Sequence, residues 1–352
     1  MPLLPQIPLN CGMQFAATRL APSPTGALHL GHARTFLVTW WLARQARAKI
    51  YMRMEDLDVG RAKPESVQQA YDDLRWLGMD WDAWEKEAEV VQSRRLDHYA
   101  GAIEQLWHSG RIYPCTCRRA DIAAAVAAVA SAPHETDAQL RYPGTCAGIT
   151  REQFPGQSAA QVAVALRTTT GKEVCWRLRV PAGITRFDDA LAGPQSFDVA
   201  TETGDFPLTR FDGTPAYQLA CVVDDHAMAI DLVVRGDDLL SSTPRQMLVY
   251  DALGWSPPRF AHVPLVIGED GKRLAKRHGE SRIAQFRAAG IAPERIVGWA
   301  AWRSGQLETP RDITAREMLT RFDPAKLPRE RVVLNADDVT CLSSRESSSK
   351  QD

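Results

Sequence analysis

Two histidines three residues apart, His29 and His32, are the clearest candidates for chemistry in this sequence. They follow an apolar run (15–21) and a turn built from two prolines and a Thr-Gly pair, and precede a run without Pro or Gly (33–46). This order predicts a strand, a tight loop and a helix. A helix N-terminus offers free N–H groups and a positive dipole end to phosphate, and residues three apart share a helical face. Gly31 lets a ligand approach the backbone, because it has no Cβ.

Three cysteines, Cys115, Cys117 and Cys146, form a second candidate site. Three thiolates with a close pair suit a structural Zn²⁺ site, which takes four ligands. Residue chemistry alone leaves the fourth position open between His134, Cys175 and water. The alternative interpretation is a set of buried, unpaired cysteines.

The elements around these residues predict an α/β fold. An apolar stretch at 48–54 predicts a second strand, so the chain opens with a strand–helix–strand unit, in which ligands bind at the carboxyl ends of the strands. Glu55 falls at that end. Later, the β-branched run at 230–234 predicts a buried strand that leads into Arg235. Alternation through residues 164–192 predicts further strands.

Length and composition limit the class of protein. The chain has 352 residues and a formal net charge of −1, so contacts with nucleic acid must come from local basic patches. No apolar run approaches membrane-spanning length, and the first sixteen residues lack a signal peptide's positive charge. Seven cysteines with one close pair argue against a secreted disulfide scaffold. We therefore expect a soluble cytoplasmic protein with no membrane partner.

Three stretches resemble signatures of the class I aminoacyl-tRNA synthetases. His29-Leu30-Gly31-His32 resembles their HIGH motif, and residues 19–26 (Arg-Leu-Ala-Pro-Ser-Pro-Thr-Gly) resemble its leader in the glutamyl and glutaminyl branch. Residues 272–277 carry four positive charges and follow a predicted strand and hairpin turn. Such clusters are most often solvated surface, but this position resembles the KMSKS loop. Lys276 matches its second lysine, whereas Arg273 replaces the first lysine and an alanine replaces the serine.

The resemblance covers roughly residues 19–302 and implies the architecture of the family. That architecture is a Rossmann-type doubly wound parallel sheet with an inserted zinc-binding lobe of the acceptor type and a short helical C-terminal part. The implied divisions are an N-terminal extension (1–14), the first half of the catalytic domain (15–112), the inserted lobe (113–200), the second half with the basic loop (201–280), a helical region (281–335) and a disordered tail (336–352).

The resemblance also implies roles for individual residues. His29, Gly31, His32 and Lys276 would bind ATP, and Arg273 and Lys276 would stabilise the departing pyrophosphate. Residues that would bind glutamate are Arg19, Leu20, Ala21, Pro22, Ser23, Glu55, Tyr217 and Arg235. Glu55 would accept the α-ammonium, the two arginines would neutralise carboxylates, and Tyr217 would close the pocket. The zinc ligands would be Cys115, Cys117, Tyr142 and Cys146.

The resemblance is greatest to the glutamyl-Q branch, whose members correspond to the catalytic portion alone, because only 75 residues (352 minus 277) follow the basic loop. It implies a monomeric enzyme with structural Zn²⁺ that activates L-glutamate with ATP and Mg²⁺. The glutamyl group would pass to queuosine in the anticodon loop of tRNA(Asp). Two alternatives stay open: a truncated glutamyl-tRNA synthetase that charges a tRNA 3′ end, and a non-catalytic tRNA-binding module.

Overall fold

The structure, a computed structural model, describes residues 14–58, 60–85, 90–129, 141–272, 274 and 281–343. The strands within these residues are β1 (Ala17–Leu20), β2 (Lys49–Met54), β3 (Val90–Val91), β4 (Ile112–Cys115), β5 (Cys175–Leu178), β6 (Thr185–Asp189), β7 (Gly193–Phe197), β8 (Leu232–Gly236), β9 (Arg259–Val263), β10 (Val266–Ile267) and β11 (Val332–Val333). The helices are α1 (Leu30–Gln45), α2 (Pro64–Trp76), α3 (Leu96–His108), α4 (Arg119–Val129), α5 (Ala159–Thr170), α6 (Val199–Glu202), α7 (Tyr217–Ala227), α8 (Thr243–Leu253), α9 (Ile283–Ala288), α10 (Pro293–Trp302), α11 (Ala315–Leu319) and α12 (Ala336–Ser343).

Parallel strands form the centre of an α/β fold. β1, β2 and β3 pair in parallel in that order, and β8, β9 and β6 form a second parallel set with β7 antiparallel at its edge. Asp231 joins the two sets, because its carboxylate accepts the backbone N–H groups of Ala16 and Ala17 at 2.8 and 2.9 Å. This junction brings the carboxyl ends of β1, β2 and β8 to one edge, where ligands of parallel sheets bind.

Helix α1 packs into the main core and is apolar on most of its surface. Leu37 and Trp41 are fully buried in it, and the Trp41 indole N–H donates to the carbonyl of Ala315 at 3.0 Å. A helix that is apolar all round is a buried helix. The histidines at its start are therefore held on a rigid element. Among the described residues, no helix is long and apolar enough to cross a membrane.

Two expectations about local structure were wrong. Residues 164–170, which alternation placed in a strand, belong to helix α5. Ser158 caps this helix, its hydroxyl accepting the N–H of Gln161, and Gly171 ends it in the left-handed conformation. The pattern of alternation therefore marked strands only further on, at β5 and β6.

The expected disordered tail at 336–352 was also wrong in its first part. Residues 336–343 form helix α12, and the Asp338 carboxylate, fully buried, accepts the indole N–H of Trp299 at 2.7 Å and the guanidinium of Arg303. A buried charge-assisted network orders this segment. Residues 344–352, and residues 1–13 of the predicted N-terminal extension, lie outside the described residues.

Candidate active site

The two histidines stack at the N-terminus of helix α1. Their ring centroids are 3.7 Å apart, and the His29 N–H donates to His32 Nδ1 at 3.4 Å. The helix begins at Leu30, earlier than the expected residue 33, so His29 is the N-cap residue and His32 lies in the first turn. A Cβ at Gly31 would lie 3.1 Å from the His29 ring. Glycine here thus makes room for the stacked rings.

The segment that carries the basic cluster begins and ends against this histidine turn. On one side, the Val266 side chain lies 3.6 Å from where a Cβ of Gly31 would be. On the other side, the Ile283 N–H donates to the Leu28 carbonyl at 2.9 Å, and Arg282 forms a β-bridge with His29. The described residues on either side of the basic cluster therefore lie beside the helix N-terminus.

The two cations predicted within the basic cluster are not among the described residues. They are Arg273 and Lys276, and Ala275 also lies outside those residues. Their roles stay predictions.

A row of alternating charges crosses the carboxyl ends of β1 and β2. Arg53 is fully buried; its guanidinium donates to Glu55 at 3.0 Å and pairs with Asp225. Asp225 in turn lies 3.3 Å from the Arg19 guanidinium. Burial disfavours the charged form of Arg53, but the two carboxylates outweigh it and raise its pKa well above its ordinary value. The row therefore holds Glu55 against the Arg53 guanidinium and Arg19 against the Asp225 carboxylate.

The remaining predicted residues of the leader lie around this row. The Ser23 hydroxyl donates to Glu55 at 3.4 Å, and the Glu55 N–H donates to the Pro22 carbonyl at 3.0 Å. Leu20 is fully buried in the main core, so only its backbone is available to a ligand. The loop after β1 thus holds the Glu55 backbone through Pro22 and the Glu55 carboxylate through Ser23.

Helix α7 and strand β8 supply the opposite wall. Arg235 is 5% exposed and its Nη1 donates to the Tyr217 hydroxyl at 3.5 Å. The Cys221 thiol, one turn along α7 from Tyr217, contacts Glu55 at 3.6 Å. Burial raises the pKa of Tyr217 and of Cys221, the latter further because Glu55 is near, so both groups stay neutral. Besides the buried pair of Arg53 and Asp225, this site presents the guanidinium groups of Arg19 and Arg235 and the carboxylate of Glu55. These three groups suit a ligand that bears two carboxylates and an ammonium.

Three charged residues around this site, Arg53, Asp224 and Asp225, were not predicted from the sequence. Asp225 joins the row of charges, and Asp224 is fully buried, accepting from Gln92, Arg95 and Tyr99 at 2.8 Å each. Asp224 fixes helix α7 to helix α3 and the turn before it. Alternation along β2 could have identified Arg53, because residues two apart on a strand share a face and Arg53 lies two positions before Glu55.

The predicted zinc ligands form one cluster. The sulfurs of Cys115, Cys117 and Cys146 all lie within 4.8 Å of one another. The Tyr142 hydroxyl is 3.4 Å from Cys115 Sγ and 3.9 Å from Cys117 Sγ. Of the open alternatives for the fourth ligand, Cys175 lies opposite Cys115 in the β4–β5 pair, and His134 is outside the described residues.

The chemistry of this cluster fits a cation. Hydrogen bonds from Cys175, Tyr142 and Arg177 lower the pKa of the Cys115 thiol to about 4, whereas burial raises that of Cys117 to about 12. The Arg177 guanidinium contacts Cys115 Sγ at 3.2 Å and stacks over the Tyr142 ring at 3.9 Å. A thiolate is therefore already favoured at Cys115, and thiolates are what zinc requires. The donor set fits Zn²⁺.

The sequence and the fold match a known class of enzymes. The family model for the class I tRNA synthetases (E and Q), catalytic domain, matches residues 16–339. The chain belongs to this family. A glutamate tRNA ligase from Elizabethkingia meningosepticum, solved in complex with its amino acid, superposes with a TM-score of 0.75 at 26% identity, over 93% of this chain and 68% of that one.

Within the family, the chain is more similar to one group of curated proteins than to another. Glutamyl-Q tRNA(Asp) synthetases from Symbiobacterium thermophilum and Rhodopirellula baltica are 44% and 45% identical, each over 92% of this chain and 98% of the relative. The glutamate–tRNA ligase of Coprothermobacter proteolyticus is 36% identical, over 88% of this chain and 63% of its own length. The glutamyl-Q tRNA(Asp) synthetases therefore match this chain at higher identity and over a larger share of their own length.

Proposed function

We propose that this protein activates L-glutamate with ATP and Mg²⁺ to glutamyl-adenylate and transfers the glutamyl group to queuosine in the anticodon loop of tRNA(Asp). The observation that carries the proposal is the higher identity to glutamyl-Q tRNA(Asp) synthetases, 44–45%, than to the glutamate–tRNA ligase at 36%. The pocket with two buried arginines and Glu55 supports glutamate as the amino acid. We place the enzyme in the cytoplasm as a monomer.

Glutamate binding follows from the charges of the pocket. Glu55, held by Arg53 and Ser23, accepts the α-ammonium of the substrate. Arg19 and Arg235 each offer a guanidinium to a carboxylate, and the Tyr217 ring closes one side. Because these groups are already fixed by neighbours, little side-chain reorganisation accompanies binding.

Adenylate formation needs no protein nucleophile. The α-carboxylate of glutamate attacks the α-phosphorus of ATP in line and expels pyrophosphate, so positioning and charge stabilisation supply the catalysis. His29 and His32 contact the phosphates together with the N–H groups that begin α1. Arg273 and Lys276 meet the charge that develops on pyrophosphate, and the described residues that flank their cluster beside His29 support this role.

The zinc lobe is a structural part of the proposal. Zn²⁺ would be held by Cys115, Cys117, Cys146 and the Tyr142 phenolate, and would supply a cross-link between the end of β4 and the segment at 142–146. The doubly wound Rossmann arrangement and the lobe boundaries at 113 and 200 belong to the same proposal.

The primary test is glutamate-dependent exchange of pyrophosphate into ATP in the absence of tRNA. We expect exchange with wild-type protein. Glu55→Gln should raise KM for glutamate about 10- to 100-fold, because one charge-assisted hydrogen bond is lost while the amide oxygen still accepts from Arg53. Glu65→Gln, at an exposed position in the first turn of α2, is the matched control and should leave KM unchanged. No exchange with glutamate would overturn the proposal.

The transfer step is tested with labelled glutamate on two preparations of tRNA(Asp), one with queuosine and one without. We expect transfer only to the queuosine-containing tRNA. We also expect equal transfer after its 3′-terminal adenosine has been removed. Labelling that needs the 3′ end instead would support the alternative of 3′-end charging.

A further inference from the structure

A buried chain of side chains continues behind Arg235. Its Nε donates to His262 Nε2 at 3.0 Å, and its Nη2 donates to the Thr243 hydroxyl at 2.8 Å and to the Leu239 carbonyl at 3.4 Å. Its Nη1 makes the longest of these contacts, 3.5 Å to the Tyr217 hydroxyl, on the side of the pocket. The guanidinium is therefore held firmly at Nε and Nη2 and least tightly at Nη1, which lies beside Tyr217.

This geometry determines the protonation state of His262. A guanidinium carries only donors, so His262 Nε2 must be an acceptor and the proton must sit on Nδ1. The Thr243 hydroxyl, which accepts from Arg235, lies 3.3 Å from the same Nε2 and can donate to it. His262 Nδ1 then donates to the Asp189 carboxylate at 2.5 Å. The ring is neutral and its tautomer is set.

Asp189 is itself immobilised. Its carboxylate accepts the backbone N–H groups of Leu191, Ala192 and His262 at 3.0, 2.8 and 3.0 Å. Burial alone would raise the pKa of this carboxyl, but the bonds from His262 and the backbone lower it below its usual range. Asp189 therefore stays ionised and accepts only.

We propose that Asp189 and His262 are a positioning pair that presents Arg235 to a carboxylate of the substrate, and that this requires His262 to be neutral. The inference rests on the proposed function for the contact between Arg235 and glutamate. His262 is a positioning residue, because it touches Arg235 and not the ligand position.

The pair makes glutamate binding sensitive to acid. The charged groups that face His262 are Asp189 on β6, Arg235 on β8 and Asp237 in the turn after β8. Burial is the main cause that lowers the pKa of His262, and the positive charge of Arg235 lowers it further. Together they outweigh Asp189 and Asp237, which raise it. As pH falls through that pKa, Nε2 gains a proton and faces a guanidinium donor, so Arg235 is displaced. KM for glutamate therefore rises on the acid side.

Two substitutions at His262 separate positioning from packing. In His262→Gln the amide oxygen can still accept from Arg235 but cannot titrate, so KM should stay near wild type and lose its acid-side rise. In His262→Leu the acceptor is gone, and KM for glutamate should rise about tenfold or more with a smaller change in kcat. In Asp189→Asn the tautomer of His262 is no longer fixed, so KM for glutamate should rise as it does in His262→Leu. Thermal unfolding of each variant verifies that it is folded.

A spectroscopic measurement is independent of activity. In ¹⁵N-histidine NMR spectra of the free protein, the signal absent from His262→Gln should report an unprotonated Nε2 and a protonated Nδ1 at neutral pH. A protonated Nε2, or an unchanged KM in folded His262→Leu, would overturn the inference while exchange by the wild type leaves the proposed function standing. Absence of glutamate exchange by the wild type would instead remove the proposed function, and with it the substrate named here.

Discussion

Replacing Arg53 with methionine should measure how strongly the row of charges stabilises the fold. Arg53 is fully buried, and its removal leaves the Glu55 and Asp225 carboxylates, 10% and 5% exposed, without the guanidinium between them. Removing one partner from a buried ion pair costs about 3–5 kcal/mol, because the uncompensated charge stays buried. We expect Arg53→Met to lower the free energy of unfolding in urea by that amount.

The matched control is Arg61→Met. Arg61 is also paired with an acidic residue, Asp58, but its side chain is 70% exposed. Exposed ion pairs contribute less than about 1 kcal/mol. The same chemical change should therefore have a small effect at residue 61 and a large one at residue 53. Equal losses in the two variants would refute the reasoning, since burial is what distinguishes them.

Two further predictions concern metal and pH. Elemental analysis of protein purified in metal-free buffer should find about one zinc per chain; Cys146→Ser should lose the metal, and Cys341→Ser, outside the cluster, should keep it, whereas a metal-free wild type would contradict the site. Burial raises the pKa of Asp73 from 3.8 to about 6, so the native state binds this proton more tightly than the unfolded state and stability falls as pH rises through that interval. In urea unfolding, the free energy of unfolding should fall between pH 4 and 7 by about 1–3 kcal/mol less in Asp73→Asn than in wild type. The same pH dependence in both proteins would contradict this prediction.

What could be predicted from the sequence was local. The succession of strand, loop and helix around His29 rests on turn residues and apolar runs within about thirty positions, and its main error was where the helix begins. The thiol cluster was predictable because zinc sites have recognisable spacing. The position of Glu55 after β2 followed from the rule that parallel strands end at the ligand edge.

What could not be predicted was pairing between distant segments. Asp225 meets Arg53 across 172 positions, and Asp189 meets His262 across 73. No periodicity carries that information, because a carboxylate on a solvated loop and one in a buried ion pair look alike in sequence. The helix at 159–170 was missed for a different reason: its capping signal, Ser158 with Gln161, is local, but the alternation further along the chain was followed instead.

The buried aspartate in the last helix sets a practical limit on shortening this protein. Trimming the serine-rich end is a common step toward crystals, and the residues after 343 are the natural ones to remove. A cut before Asp338 would take away the acceptor of the Trp299 indole and the counter-ion of Arg303. Such a variant should aggregate or resist purification, so a shortened chain should keep the whole of α12.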